Sequence, residues 1–529
     1  MRRIIGAAAL LASLAITLAA QSATPAGRAF NILDYGAKND ASAPATAAIR
    51  AAIQACAKAG GGTVLIPAGR YDTGAIELVS NLTLSIGAGA VVRFHANRED
   101  YPFVEGRYEG TEMRTPAALI GGRNLENIAI TGRGILTADN AEWVKLTSGT
   151  SYRAALQEML GLIEHKQPVP DAMRREAEMA LRPDFIRPVE SKNVLIEGIH
   201  VVGSPMWVLH PLYCENVVIR GVIVESFPGR NGDGVDIDSC RNVRISDSYF
   251  DTGDESICIK SGKDADGRRV ARPTEDVAIT NCTVRRGHGA VALGSENSGS
   301  IRNLVASNIV ARGTDRGIRI KTGRGRGGVI ENIRFDNWVI EDTPQPAIEV
   351  TNYYTRVPDE PVSERTPMIR NVAISHVTVN RCKTAVSIEG LPEMPIEGLR
   401  LTDVIAFAKE GLRAFNTKGL ELRNVRINPE AGVPFLIRDA ADLDLDGVQT
   451  RAPNPDVPVV RLDRCTRVWL RNSIAWPGTG VFLSLAPGMK GEAALTANDL
   501  TGAATPDKED ATDYWKSINT PDAPRGSGR

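Results

Sequence analysis

Charge of one sign is missing from this chain. Its 62 basic and 63 acidic side chains leave a net charge of −1 over 529 residues. That balance argues against a dedicated nucleic-acid binder, which is normally strongly basic. Cys-x-x-Cys pairs and Cys/His groups with zinc-ligand spacing are lacking, so no metal and no cofactor is expected. Long apolar runs are confined to the N-terminus. There Arg2 and Arg3 precede an apolar stretch from Ile4 to Ala20, and small residues follow through Ala23. The pattern is that of a signal peptide over residues 1–23, with export to the periplasm or the cell exterior. A membrane anchor is the weaker alternative, because the run is short and ends in small and polar residues. No stable membrane insertion is expected of the remainder. Two-residue Asn-Gly turns are scarce too, Asn231-Gly232 excepted, which disfavours hairpin-built sandwiches and propellers.

What the chain does contain is a repeat. Asn or Asp opens a run of alternating aliphatic residues, then a polar stretch and glycine follow. The copies begin at Asn127, Asn193, Asn216, Asn242, Asp276, Asn303, Asn332 and Asn371, with weaker ones at Gly398, Gly419 and Asp442. From Asn193 onward most steps are 21 to 29 residues long. A local period of two with Val and Ile enriched makes the unit a strand. One coil per repeat, with loops inserted at some corners, gives an all-β solenoid of stacked coils. Asn recurring at one corner allows an amide ladder along the stack. Residues 44–60, Ala-rich with Ile49 and Ile53 four apart, predict an amphipathic helix that caps the open end. The solenoid is expected over residues 28–500, with a helical insertion at about 143–179 and a loose polar tail over 507–529. Seven cysteines leave at least one thiol unpaired within a monomer. Cys214 and Cys240 each lie two residues before an Asn mark and stack on adjacent coils, as a disulfide or as two buried thiols.

Four polar groups fall in successive coils: NGDG with Asp233, TGDES with Asp254 and Glu255, RGHGA with His288, and RIK with Arg319 and Lys321. Asp254 lies twelve residues after the Asn242 mark and His288 twelve after the Asp276 mark, so they stack one rung apart. Singly, each group reads as a turn, a solvent-facing pair or a charged strand. Jointly and in register they converge on one face. Glycosidic cleavage needs one carboxylic acid to protonate the leaving oxygen and a carboxylate to attack or to activate water. Clustered carboxylates divide those roles, because repulsion raises one and leaves another ionised. Residues 311–326 hold six basic side chains and one acidic one, a strip suited to substrate carboxylates. Lys260 alternates outward and is a further substrate-binding candidate. Asp236 and Asp238 suit capping or laddering of the coil. Trp207 and His210 suit either a sugar platform or packing.

NGDG, GDES, GHG and RIK together resemble the four motifs of glycoside hydrolase family 28, the polygalacturonases. FNILDYGAKND, LRPDFIRP, SPMWVLHPLYCENV and KSGKDADGRR extend the likeness over roughly residues 30–476, and the later segments resemble bacterial exo-acting members more than fungal endo-acting ones. The resemblance implies a right-handed parallel β-helix and hydrolysis with inversion of α-galacturonosyl linkages in pectic polysaccharide or oligogalacturonides. By it, Asp254 is the general acid, Asp233 and Glu255 position and deprotonate water, and His288 assists the acid. Asn231 belongs to the same binding turn, and Arg319 and Lys321 hold the galacturonate carboxylate. Gly232 departs from the family threonine. Glu255 departs from the family aspartate by one methylene, which is enough to move a carboxylate on the scale at which catalysis is sensitive. Rhamnogalacturonan-cleaving relatives are similar at Glu255, so a rhamnogalacturonan hydrolase is the alternative. A pectate lyase and a non-catalytic carbohydrate-binding solenoid stand further off.

Overall fold

A computed structural model describes residues 28–355 and 357–515. The proposed signal peptide lies outside the described residues, and so do residues 516–529 of the expected tail. Thirty strands join in one parallel sheet that winds into a β-helix. Each coil contributes strands to three faces. The repeat sequence supplies the first: Val194, Val217, Val243, Val277, Leu304, Ile333, Val372 and Leu399 pair in one column. All of them are buried, and their neighbours in sequence point outward. The core is therefore a stack of aliphatic side chains, one layer per rung.

The Asn marks have a backbone reason. Asn127, Asn193, Asn216, Asn242, Asn303, Asn332 and Asn371 all sit at φ between 51° and 58°. That left-handed turn is open mainly to Asn, Asp and Gly. Gly398 and Gly419 occupy the same corner at φ 59° and 66°, which explains why the later copies open on glycine. The side-chain amides also bond from rung to rung. Asn193 donates to Asn127 at 2.9 Å, Asn216 to Asn193 at 3.1 Å and Asn371 to Asn332 at 2.7 Å.

Helix α1 (Thr46–Lys58) covers the first rungs with Ile49, Ala52, Ile53 and Cys56 buried. The insertion forms α2 (Asn140–Thr147), α3 (Thr150–Glu164) and α4 (Asp171–Glu178). An antiparallel hairpin, Phe103–Tyr108 with Thr111–Pro116, leaves the solenoid earlier and was not legible in the repeat pattern. The expected tail over residues 507–529 begins inside a strand. Ala503–Glu509 is the last strand, paired with Thr479–Leu485, and Trp515 packs on Phe415 with centroids 6.1 Å apart. One indole supplies apolar area that the polar composition of this segment hides. All seven cysteines are free and buried. Cys214 and Cys240 stack on adjacent coils as thiols: the Cys214 N–H donates to Cys240 Sγ at 3.2 Å.

Candidate active site

Four short strands form the site face: Val235–Asp238, Ile257–Lys260, Val291–Leu293 and Ile318–Lys321. Val235, Ile257, Val291 and Ile318 stack in register and point into the core. Alternation then turns Asp236, Cys258, Ala292 and Arg319 outward in a second column. The turns that lead into these strands carry Asp233, Asp254 with Glu255, and His288. These turns stack tightly. The His288 N–H donates to Asp254 O at 3.0 Å, and a Cβ on Gly287 would meet that oxygen at 2.4 Å. Glycine is therefore required there. His288 Nδ1 also reaches Asp254 Oδ1 at 3.0 Å.

The carboxyls of the cluster are shifted in opposite directions. Burial pushes the Asp254 carboxyl up, and the charge on Glu255 adds to this against the pull of His288. Asp254 and His288 hold each other: the bond to Asp254 raises the imidazole. Burial and the neighbouring Asp236 and Asp254 push Asp233 well above the ordinary carboxylate range, with Lys260 as the opposing cation. Burial would also raise Glu255, but Lys321 and Arg319 outweigh it and keep this carboxylate well below its usual range. Arg319 Nη1 donates to Glu255 Oε1 at 2.7 Å, and Lys321 Nζ donates to the same oxygen. Arg319 Nε donates on to Glu349 at 3.0 Å, and Tyr354 lies over both cations.

Several sequence expectations change here. Lys260 does not face an open groove. Its side chain is 4% exposed, with Nζ 3.0 Å from Glu296, 3.4 Å from Asp236 and 3.9 Å from Asp233. It also lies 4.4 Å from the centroid of Trp207. Trp207 and His210 are both buried and packed edge to face, so they form no sugar platform. Asp236 and Asp238 neither cap nor ladder the coil. Burial pushes Asp236 up to about 8, against the pull of Lys260. Asp238 would rise likewise, but Arg107 and His210 hold it down at about 2. The basic strip is not free either. Arg316 pairs with Glu349, Arg324 with Glu393, Arg326 with Asp264, and Arg312 with Asp342.

Arg182, Glu296 and Arg107 were not singled out from sequence. Arg182 donates to Asn231 Oδ1 at 2.6 Å and to Arg230 O at 2.9 Å, which fixes the turn before Asp233. Its signal was the LRPDFIRP segment that carries family likeness. Arg107 reaches Asp238 at 2.6 Å from the hairpin. Helix α5 (Asp264–Val270) and α3 close the same side: Glu164 of α3 accepts from Ala265 N at 2.8 Å and from Arg365 at 2.9 Å. The open side is marked by His288, whose side chain is 52% exposed. Cavities of about 440 Å³ beside Tyr213 and about 820 Å³ beside α1 touch none of the eight candidate residues.

Ligand atoms of Asp233, Glu255 and Cys258 lie within 4.8 Å of one another. Glu255 is already committed to Arg319 and Lys321, and burial pushes the Cys258 thiol well up. Three protein cations thus supply the positive charge that a metal would bring.

Carboxylates shifted in opposite directions on the outer face of a parallel β-helix fit glycosidic cleavage. Residues 171–454 match the model for glycosyl hydrolases family 28, and the chain belongs to that family. Residues 29–143 match a model described as rhamnogalacturonase A/epimerase, pectate lyase-like. The chain is 28% identical to a probable polygalacturonase of Vitis vinifera over 385 residues, 71% of this chain and 73% of that protein. It is 29% identical to an exo-poly-alpha-D-galacturonosidase of Dickeya chrysanthemi, over 63% of this chain and 58% of that one. A solved structure of a hyperthermoactive exopolygalacturonase from Thermotoga maritima superimposes with a TM-score of 0.70. It is 34% identical, over 75% of this chain and 91% of that one.

Proposed function

We propose that the chain is an exported, exo-acting polygalacturonase that hydrolyses α-galacturonosyl linkages with inversion. The observation that carries this reading is the adjacent pair Asp254 and Glu255, one bonded to His288 and shifted up, the other held by Arg319 and Lys321 and shifted down. Asp254, raised and open to the site, protonates the leaving oxygen, and His288 orients it. Glu255 stays ionised and takes the proton of the attacking water, which Asp233 helps to hold. Asp233 has one carboxylate oxygen buried without a hydrogen-bond partner, which suits a water acceptor. Arg319 and Lys321 hold Glu255 and present the remaining positive field to the sugar. Asn231 shapes the turn below the sugar. The helical insertion, the hairpin and α5 wall one side of the site, which favours cleavage from a chain end. Product analysis on oligogalacturonides tests the reading. Release of galacturonate from one end supports it. Mixed internal products refute the exo mode, and unsaturated products refute hydrolysis.

One observation favours a second reading. Glu255 already occupies the cation pair that would receive a galacturonate carboxylate. A neutral sugar on one side of the cut bond, as in rhamnogalacturonan, would leave that pairing undisturbed. Faster release of products from rhamnogalacturonan than from polygalacturonate would select this reading.

A further inference from the structure

Three successive coils turn the same corner just before the site, and they present Phe227, Asp251 and Arg286. Glu225 pairs with Asp251 across the rung, and the Phe227 N–H donates to Asp251 O at 3.2 Å. Arg286 donates through Nε and Nη2 to the two Asp251 oxygens, at 2.7 and 2.5 Å. Its guanidinium carbon lies 3.9 Å from the centre of the Phe227 ring. A two-point ion pair therefore fixes a flat guanidinium against an aromatic side chain. Phe227 is still 46% exposed, so it is open to a further stacking partner.

The position matters as much as the exposure. Phe227 opens the turn that runs into Asn231 and Asp233, and Arg286 stands two residues before His288. A Cβ on Gly253 would meet Gly229 O at 2.0 Å, so these turns stack with no side chain between them. The far side of the site is closed by the hairpin and by α3 and α5. A substrate approaching from the open side, past His288, meets Phe227 and Arg286.

We propose that Phe227, braced by Arg286, is a stacking subsite for one pyranose ring of the acidic sugar chain, next to the bond that is cut. The apolar C–H face of a pyranose covers the exposed ring. The Arg286 Nη1, which Asp251 does not use, faces the substituents of the same sugar. The inference rests on the pectic hydrolase reading and adds a residue that the reaction chemistry does not require.

The test is steady-state kinetics of Phe227→Ala and Phe227→Trp on oligogalacturonides of increasing length. For Phe227→Ala, KM on the longer chains rises by roughly three- to tenfold, the scale of one aromatic contact, while kcat is retained. Phe227→Trp keeps KM at or below that of the wild type, which guards against a folding defect in the alanine variant. Unchanged KM in Phe227→Ala, or a fall in kcat alone, overturns the subsite and leaves the hydrolase reading standing. A wild-type enzyme that turns over no oligogalacturonide overturns both.

Discussion

Lys260 illustrates how a residue can belong to a site without meeting substrate. It is the cation within 4 Å of Asp233, whose other charged neighbours Asp236, Asp254 and Glu255 are all acids. Burial works against its charge, but Cys258, Glu296, Asp236 and Asp233 outweigh that and keep it protonated. Removing the charge lets Asp233 rise further, so its ionised form is lost at a higher pH. In Lys260→Met the acidic limb of the pH–rate profile moves upward, and Lys260→Arg restores it in part. A uniform loss of rate with an unmoved limb would assign Lys260 to structure alone. Asp254→Asn lowers kcat by roughly a hundredfold to ten-thousandfold with the thermal midpoint retained, as loss of a general acid requires. Glu255→Gln strips Lys321 of its carboxylate. A broken buried ion pair costs on the order of 3–5 kcal/mol, so the urea midpoint falls; an unchanged midpoint contradicts the pairing.

Elements meet the site through a buried chain of charges: Arg187, Asp184, His210, Asp238 and Arg107, the last supplied by the Phe103–Pro116 hairpin. Its pH dependence has a definite sign. Burial opposes charge on His210, but Asp184 and Asp238 raise the imidazole to about 9, from the ordinary 6.5. Its contribution is complete below about 6.5 and is lost as pH climbs through 9. Asp238, held at about 2, contributes above about 4 and loses its contribution as pH falls toward 2. The contribution of His210 and Asp238 is therefore flat from about pH 4 to 6.5 and declines on the alkaline side, with about 3 kcal/mol linked to His210. His210→Gln removes that alkaline decline; a slope equal to wild type would contradict the network. This element also marks where the sequence stopped being legible. Asn193 or Asn371 announces a corner because the left-handed turn and the rung-to-rung amide are local demands. NGDG, GDES, GHG and RIK could be placed on one face for the same reason, by counting from those corners. Burial of Lys260, Asp236 and Asp238 could not be read that way. The side chain that covers Asp238 arrives from a hairpin 131 residues earlier, and no local period encodes it.

The whole molecule is a stack whose end rungs are its exposed liability. Unpaired strand edges invite further pairing, and α1 covers the first of them with Ile49, which is 1% exposed. Ile49→Asp places a charge under the cap and lowers the thermal midpoint, with larger species on gel filtration. An unshifted midpoint and elution volume would show that the cap is dispensable. The repeating frame also explains why the site spans four coils and only one face: each rung offers one turn to that face, so Asp233, the Asp254–Glu255 pair, His288 and the Arg319–Lys321 pair come from successive rungs. In the proposed function, Asp254 and the Asp233–Glu255 pair together hydrolyse an α-galacturonosyl bond by a single displacement. Proton NMR of the first turnovers of an oligogalacturonide tests it most directly. The expected result is galacturonate released from one chain end with the β configuration at its new anomeric centre. An α-configured first product, or an unsaturated one, would contradict it.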